Sequence, residues 1–199
     1  MSGSETEGGQ VRRRTGGRSA RVRSAVLGAA LEVIADRGPG GVTISEVARR
    51  AGVHGSSILR RWGSAENLIL DALLDYSRSE LPAPDTGTVR ADLIALAQRI
   101  QANLVKPDGA ALARTMAAAE DDPTVARSRA RYWQSRTEAA RVIIDRAVER
   151  GELAAGTDAT IALELLVAPL YFRALLTRQT IATTTIEQIV DTLLDGLSR

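Results

Sequence analysis

The segment AGVHGSSILRRW, residues 51–62, decides how the rest of the chain is read. It holds two glycines, a short polar run, two adjacent arginines and one of only two tryptophans in the chain. Immediately upstream, Thr43-Ile44-Ser45-Glu46 reads as a capping box. The Thr43 hydroxyl accepts from the Glu46 amide, and the Glu46 carboxylate reaches back to the Thr43 amide. The helix opened there, ISEVARRA, puts Ile44, Val47, Ala48 and Ala51 on one face and stops at Gly52. A second short helix must lie within HGSSILRRW, because Gly63-Ser64 supplies the next break. Two helices of about two turns joined at a glycine predict a helix-turn-helix.

Working outward, a longer helix precedes this unit from about Ser19. Val22, Val26, Ala30 and Val33, flanked by Leu27, Leu31 and Ile34, give it a broad apolar stripe at three- and four-residue spacing. RGPGG (37–41) ends it, with Gly38 suited to a left-handed cap and Pro39 blocking continuation. Downstream, Ser64 can cap a helix to about Arg78, and LPAPDTGT (81–88) is a loop. VRADLIALAQRIQANLV follows as a helix with Leu93, Leu96, Ala97, Ile100 and Leu104 on one face; Pro107-Asp108-Gly109 breaks it before AALARTMAAA. Asp122-Pro123 opens the longest helix, to about Gly151. A very apolar helix spans about Asp158 to Thr177 with a kink expected at Pro169. Thr184-Thr185-Ile186-Glu187, a second capping box, starts the last helix. No segment alternates with strand period, so the expected fold is all-α with about nine helices.

Composition narrows the chemistry. The 199 residues, 44% hydrophobic and 25% charged, suit a soluble globular chain of one large or two small domains. The absence of cysteine excludes disulfides and thiolate metal sites, and a single histidine, His54, argues against a histidine-built one. No nucleophile–base pair and no phosphate-binding glycine loop is visible, so neither catalysis nor a cofactor is expected. MSGSETEGGQ lacks the apolar core of a signal peptide. The run IALELLVAPL (161–170) contains Glu164 and is short for a membrane span; a buried helix and a cytoplasmic protein are expected. Charge is uneven: residues 1–63 carry 11 arginines against 5 acids, and the remainder carries 15 basic residues against 19 acids. A basic front third suits a polyanion. Six of those arginines lie between Arg12 and Arg23, and a solvated tail fits them equally.

RSAVLGAALEVIADRG, TISEVARRAGV, SSILRRW and SAENLI, taken in order, resemble the DNA-binding domain of TetR-type transcriptional regulators. The likeness covers about 45 consecutive residues and includes Ala29-Ala30, Arg37-Gly38, Ala48, Ala51-Gly52-Val53, and Trp62 where the family has Phe or Trp. AVERGEL (147–153) and LLVAPLYFRALLT (165–177) resemble the C-terminal domain of one subgroup. Residues 1–18, with almost nothing apolar, read as a disordered basic arm. The resemblance implies a helix-turn-helix domain over 19–64 and a helical ligand-binding and dimerisation domain over 65–199. It implies double-stranded operator DNA as partner, a homodimer, and a repressor released by a small-molecule ligand. A body that docks another protein instead, with no cavity, stays open.

Within that frame Trp62 should turn into the small core against Ile58, Val47 and Leu31 and leave the opposite face of its helix free for a major groove. That face offers His54, Gly55, Ser56, Ser57, Arg60 and Arg61, with Thr43 at a helix N-terminus suited to a phosphate. For His54 a base or phosphate contact and a plain exposed helix start fit equally well. Leu59 stands where the family has a phosphate-binding tyrosine, and Gly55 and Ala65 where lysines are common, which implies a weaker grip. Arg12, Arg13, Arg14 and Arg18, with Arg21 and Arg23, could compensate from the arm or merely steer association. Ligand contacts are expected from Gln98, Gln101, Met116, Tyr132, Trp133 and Phe172. A four-helix dimer interface is expected from Tyr171, Leu175, Ile189 and Leu193, whose alternative place is ordinary core.

Overall fold

The structure is a computed structural model describing residues 16–117 and 123–197. The described residues form nine α-helices and no strand: α1 (Gly16–Arg37), α2 (Ile44–Ala51), α3 (Gly55–Trp62), α4 (Ala65–Glu80), α5 (Val89–Val105), α6 (Pro107–Ala117), α7 (Pro123–Glu149), α8 (Ala159–Tyr171) and α9 (Thr183–Leu197).

Local chemistry sets the boundaries around α2 and α3. Thr43 Oγ1 accepts from the Glu46 amide at 3.2 Å and so starts α2. Gly52 ends it in the left-handed region, φ 64°, and the Val53 amide returns to Ala48 O at 3.0 Å. Gly63, φ 74°, closes α3, and Ser64 Oγ accepts from the Asn67 amide to begin α4. The turn between α2 and α3 is thus fixed by one glycine and the caps on either side of it.

Two apolar clusters organise the molecule. The first joins Val26, Ala30, Val33 and Ile34 of α1 to Val47 of α2, Ile58 and Trp62 of α3, and Leu68, Ala72 and Leu73 of α4. It also takes in Leu112 and Met116 of α6 and Tyr132 of α7. The second is built on α5, α7, α8 and α9, around Leu93, Leu96, Ile100, Ile143, Ile144, Leu166, Leu170 and Val190. Both α4 and α7 connect the halves: α4 completes the first core, and the 27-residue α7 supplies side chains to both.

Several expectations need correction. The first helix begins at Gly16, so Arg21 and Arg23 lie inside it and do not precede it. Pro107-Asp108-Gly109 does not precede α6 but forms its first turn, where proline's missing amide costs nothing. Gly109 is needed there because an added Cβ would fall 2.2 Å from Asn103 O. The apolar helix runs through Pro169 to Thr177 as expected, but after Tyr171 it widens into a π-helical turn, Phe172–Thr177. Lacking an amide, proline disturbs the i→i−4 ladder, and the extra residue per turn absorbs the mismatch. At α9 the Ala182 carbonyl receives the Thr185 and Ile186 amides, so the helix starts ahead of the expected threonine cap.

Candidate nucleic-acid interface and cavity

One side of α3 is buried and the other is open. Ile58 is fully buried and Trp62 is 9% exposed, whereas His54, Ser56, Leu59, Arg60 and Arg61 are exposed and Gly55 and Ser57 are half-buried. Trp62 does more than fill space. Its indole Nε1 donates to Asp71 Oδ2 of α4 at 3.0 Å, and its carbonyl accepts from Asn67 Nδ2 at 2.8 Å. The other Asp71 oxygen receives Arg23 Nη2 of α1 at 2.8 Å, and Arg23 Nη1 reaches Asp75 at the same distance. These bonds hold the Asp75 carboxyl below the usual carboxylate range, chiefly through the Arg23 guanidinium. Three helices therefore meet at Asp71, which sequence reading did not single out. The available signal was Asp71 and Asp75 four apart on α4, one helical face presenting two acids toward an arginine-rich α1.

The polar residues of the face have distinct settings. His54 is the N-cap residue of α3 and makes no capping bond with its side chain. Arg60 makes no ion pair among the described residues. Arg61 turns back: its Nη1 lies 3.4 Å from Ser19 Oγ of α1, and its guanidinium sits 5.3 Å from the Trp62 ring centroid. Thr43 is exposed at the start of α2. Half of the expected capping box is missing, because Glu46 is taken by Arg49 at 2.8 Å and Arg50 at 2.9 Å. Those bonds, Arg49 first, lower its carboxyl to about 2. Two guanidiniums outcompete one backbone amide for the same carboxylate. Arg12, Arg13 and Arg14 lie outside the described residues, as does the side chain of Arg18.

A cavity of about 380 Å³ opens between α5, α7 and α8. Leu96, Ile100, Ala140, Leu163 and Val167 make its apolar wall; Trp133, Arg136, Thr137, Glu164 and Tyr171 supply polar atoms. Trp133 stands edge-on to Tyr171, centroids 5.5 Å apart at 80°, and to Tyr132 at 5.2 Å and 66°. Burial pushes the Tyr171 hydroxyl up. Arg136 Nη1 donates to Leu81 O, just past the end of α4, at 3.1 Å.

Of the residues expected to contact a ligand, Trp133 alone lines this cavity. Gln98 is exposed and Gln101 half-buried on α5, while Met116 and Tyr132 are buried in the first core. Phe172 is 53% exposed on the outer surface, one residue round the helix from Tyr171. Tyr171, expected at a dimer surface, faces the cavity instead. Leu175 and Ile189 are half-buried, and Leu193 belongs to the second core. The exposed apolar residues of this region are Ile161, Leu165, Phe172 and Leu176, beside a groove lined by Leu165, Pro169, Ile189, Leu193 and Leu197 between α8 and α9.

The family model described as "Bacterial regulatory proteins, tetR family" matches residues 26–72, and that described as "Tetracyclin repressor-like, C-terminal domain" matches residues 83–193. The HTH-type transcriptional regulator AqdR of Rhodococcus erythropolis is 40% identical over 144 residues, 72% of this chain and 70% of that one. The uncharacterized HTH-type transcriptional regulator YdeS of Bacillus subtilis is 28% identical over 154 residues, covering 77% and 78% of the two chains. Among solved structures, the TetR family transcription regulator SCO0332 superposes with a TM-score of 0.71 at 29% identity, covering 88% of this chain and 98% of that one.

Proposed function

Since this chain belongs to the TetR family of bacterial DNA-binding transcriptional regulators, we propose that it is a dimeric repressor released from its operator by a ligand bound between α5, α7 and α8. The observation that carries the DNA half is α3 itself. Its tryptophan is tied to α4 while Ser56, Arg60 and His54 point outward from an eight-residue helix. Arginine can pair with guanine or phosphate, serine with phosphate, and Thr43 with a phosphate at the start of α2. One such helix reads too few base pairs, and a two-fold pair about 34–36 Å apart reads two half-sites.

Arg12, Arg13 and Arg14 add sequence-independent phosphate contacts in this reading. The support is the Arg61–Ser19 contact, which brings the start of α1 beside the last turn of α3. The arm therefore leaves from next to the bound duplex. The exposed stripe of α8 with the α8–α9 groove is the surface on which two copies meet.

Ligand control needs differential affinity: a bound molecule shifts the spacing of the two α3 helices only by favouring one arrangement. The cavity meets α4 through Arg136, and α4 meets α3 through Asp71. The deciding experiment is the affinity for a duplex from the region upstream of the gene, against scrambled DNA, at two salt concentrations. Binding tighter by about a thousandfold to the upstream duplex supports the reading. Equal, steeply salt-dependent binding to both would reduce the protein to non-specific charge attraction at that DNA. In the same assay, deleting residues 1–15 should lower the salt slope by up to about 0.9 per lost phosphate contact.

A further inference from the structure

We infer that the cavity takes a compact organic acid with an apolar body, and that Arg136 both reads the acid and passes its arrival to α4. The inference rests on the cavity being the ligand site proposed above. Its first support is a contrast along α7. Of its arginines, Arg127 lies 3.6 Å from Glu66, Arg141 3.5 Å from Asp145 and Arg146 3.0 Å from Asp85. Arg136 is the arginine of this helix that lines the cavity, and it meets no carboxylate among the described residues. A half-buried guanidinium has five donors in a planar fork suited to a carboxylate. Leu81 O occupies one of them. The remaining donors, against walls of leucine, isoleucine and valine, are completed by an acid group on an otherwise apolar molecule.

Size and charge placement narrow the class. At about 380 Å³ the space is at the small end of ligand cavities, which run to about 1,000 Å³. Glu164 is on the α8 wall and exposed. An acid head is therefore repelled from Glu164 and drawn to Arg136.

The second support is what Arg136 already holds. Leu81 is the residue at which α4 ends, and its own amide closes the last turn onto Ser77 O at 3.0 Å. The strap that follows is held by arginines too, Arg99 on Pro82 O and Arg146 on Pro84 O. A carboxylate seated bidentately on the remaining donors reorients the planar guanidinium and draws Nη1 off Leu81 O, because a charged acceptor makes the stronger bond. Taking Arg136 from Leu81 frees the C-terminal end of the helix whose other half carries Asp71. The acid then favours the arrangement in which α4, and with it Trp62 at the end of α3, has moved.

The test uses two matched probe sets: decanoate, 1-decanol and decylamine; and 4-butylbenzoate, 4-butylbenzyl alcohol and 4-butylbenzylamine. Titration calorimetry on the full chain measures each, with Arg136→Gln, Arg136→Lys and Leu163→Trp alongside. At least one acid should bind roughly 10- to 100-fold tighter than its alcohol. Arg136→Gln should abolish that preference, and Arg136→Lys should keep part of it. The bound acid should also speed amide exchange over residues 77–81 in the wild type. Equal affinities for acid and alcohol would overturn the acid inference yet leave the cavity as the ligand site. A preference for the amine, or no binding by either set, would overturn it as well. Binding unaltered by Leu163→Trp would put the probe elsewhere and remove the cavity reading itself. Tight acid binding with unchanged exchange at 77–81 would overturn the coupling through Leu81.

Discussion

Trp62 performs two separable jobs, and substitution can divide them. Its ring fills the first core, and its Nε1 holds Asp71 of α4. Trp62→Ala removes both and should cost about 3–5 kcal/mol, read from urea midpoints of the DNA-binding half. Trp62→Phe keeps most of the packing and loses the hydrogen bond. Asp71 is about one-third exposed, so water replaces the lost donor, and the cost should stay near 1 kcal/mol. Equal losses from the two variants would mean that the bond, not the ring, carries the stability. On the outer face, Arg60→Ala should weaken operator binding about tenfold or more without shifting the melting temperature, since Arg60 is exposed and makes no ion pair among the described residues. Gly55→Lys is the converse experiment. A Cβ there meets only a methyl of Ile44, at an ordinary 3.5 Å, so the lysine fits. Fluorescence anisotropy over a salt series should show tighter binding and a slope steeper by about 0.9, one added phosphate contact. An unchanged slope would place position 55 away from the backbone.

At the scale of elements, the angle between α2 and α3 depends on Gly52. An added Cβ there touches nothing within 4 Å, so Gly52→Ala is a pure backbone test at φ 64°. Alanine should lose about 1–2 kcal/mol of stability, while Gly52→Asn should lose less, because asparagine tolerates the left-handed region. Thermal melts of the two variants check the order; asparagine as costly as alanine would refute a conformational cause. This unit was legible in the sequence because its boundaries are local: Thr43, Gly52 and Ser64 each act within about four residues of themselves. The cavity was much less so. Whether Tyr171 or Phe172 faces inward depends on a rotation of about 100° per residue, and the widened turn after Pro169 shifts the phase again. Phe172 was expected at the cavity and Tyr171 at the dimer surface, but Tyr171 lines the cavity and Phe172 is exposed. Arg136 escaped notice for a related reason. Nothing near it in sequence distinguishes it from the five other arginines of α7; its partner at Leu81 is 55 positions away.

At the scale of the molecule, the exposed stripe of α8 and its π-helical extension has to be accounted for. Ala159–Thr177 has a mean hydropathy of 1.7 over its most apolar window and is long and apolar enough, by length and composition alone, to cross a membrane. Ile161, Leu165, Phe172 and Leu176 are each half or more exposed in the single chain, and their spacing of four, seven and four puts them along one helical face. A second copy covering that face accounts for the same apolarity, since permanent dimer interfaces resemble a core cut in two. Leu165→Arg tests this without touching either core, because Leu165 is 55% exposed in the protomer. The groove the new cation enters is lined by Arg173 and by no carboxylate among the described residues. An unpaired charge forced into a closed interface costs about 3–5 kcal/mol, which raises the dimer dissociation constant roughly 100- to 5,000-fold. Sedimentation velocity should therefore show monomers at micromolar concentration, with the helical signal of the wild type retained. Operator affinity should fall with it, because a lone α3 reads one half-site. A variant that stays dimeric would move the interface off this stripe and leave the apolar face of α8 for some other partner, a membrane surface included.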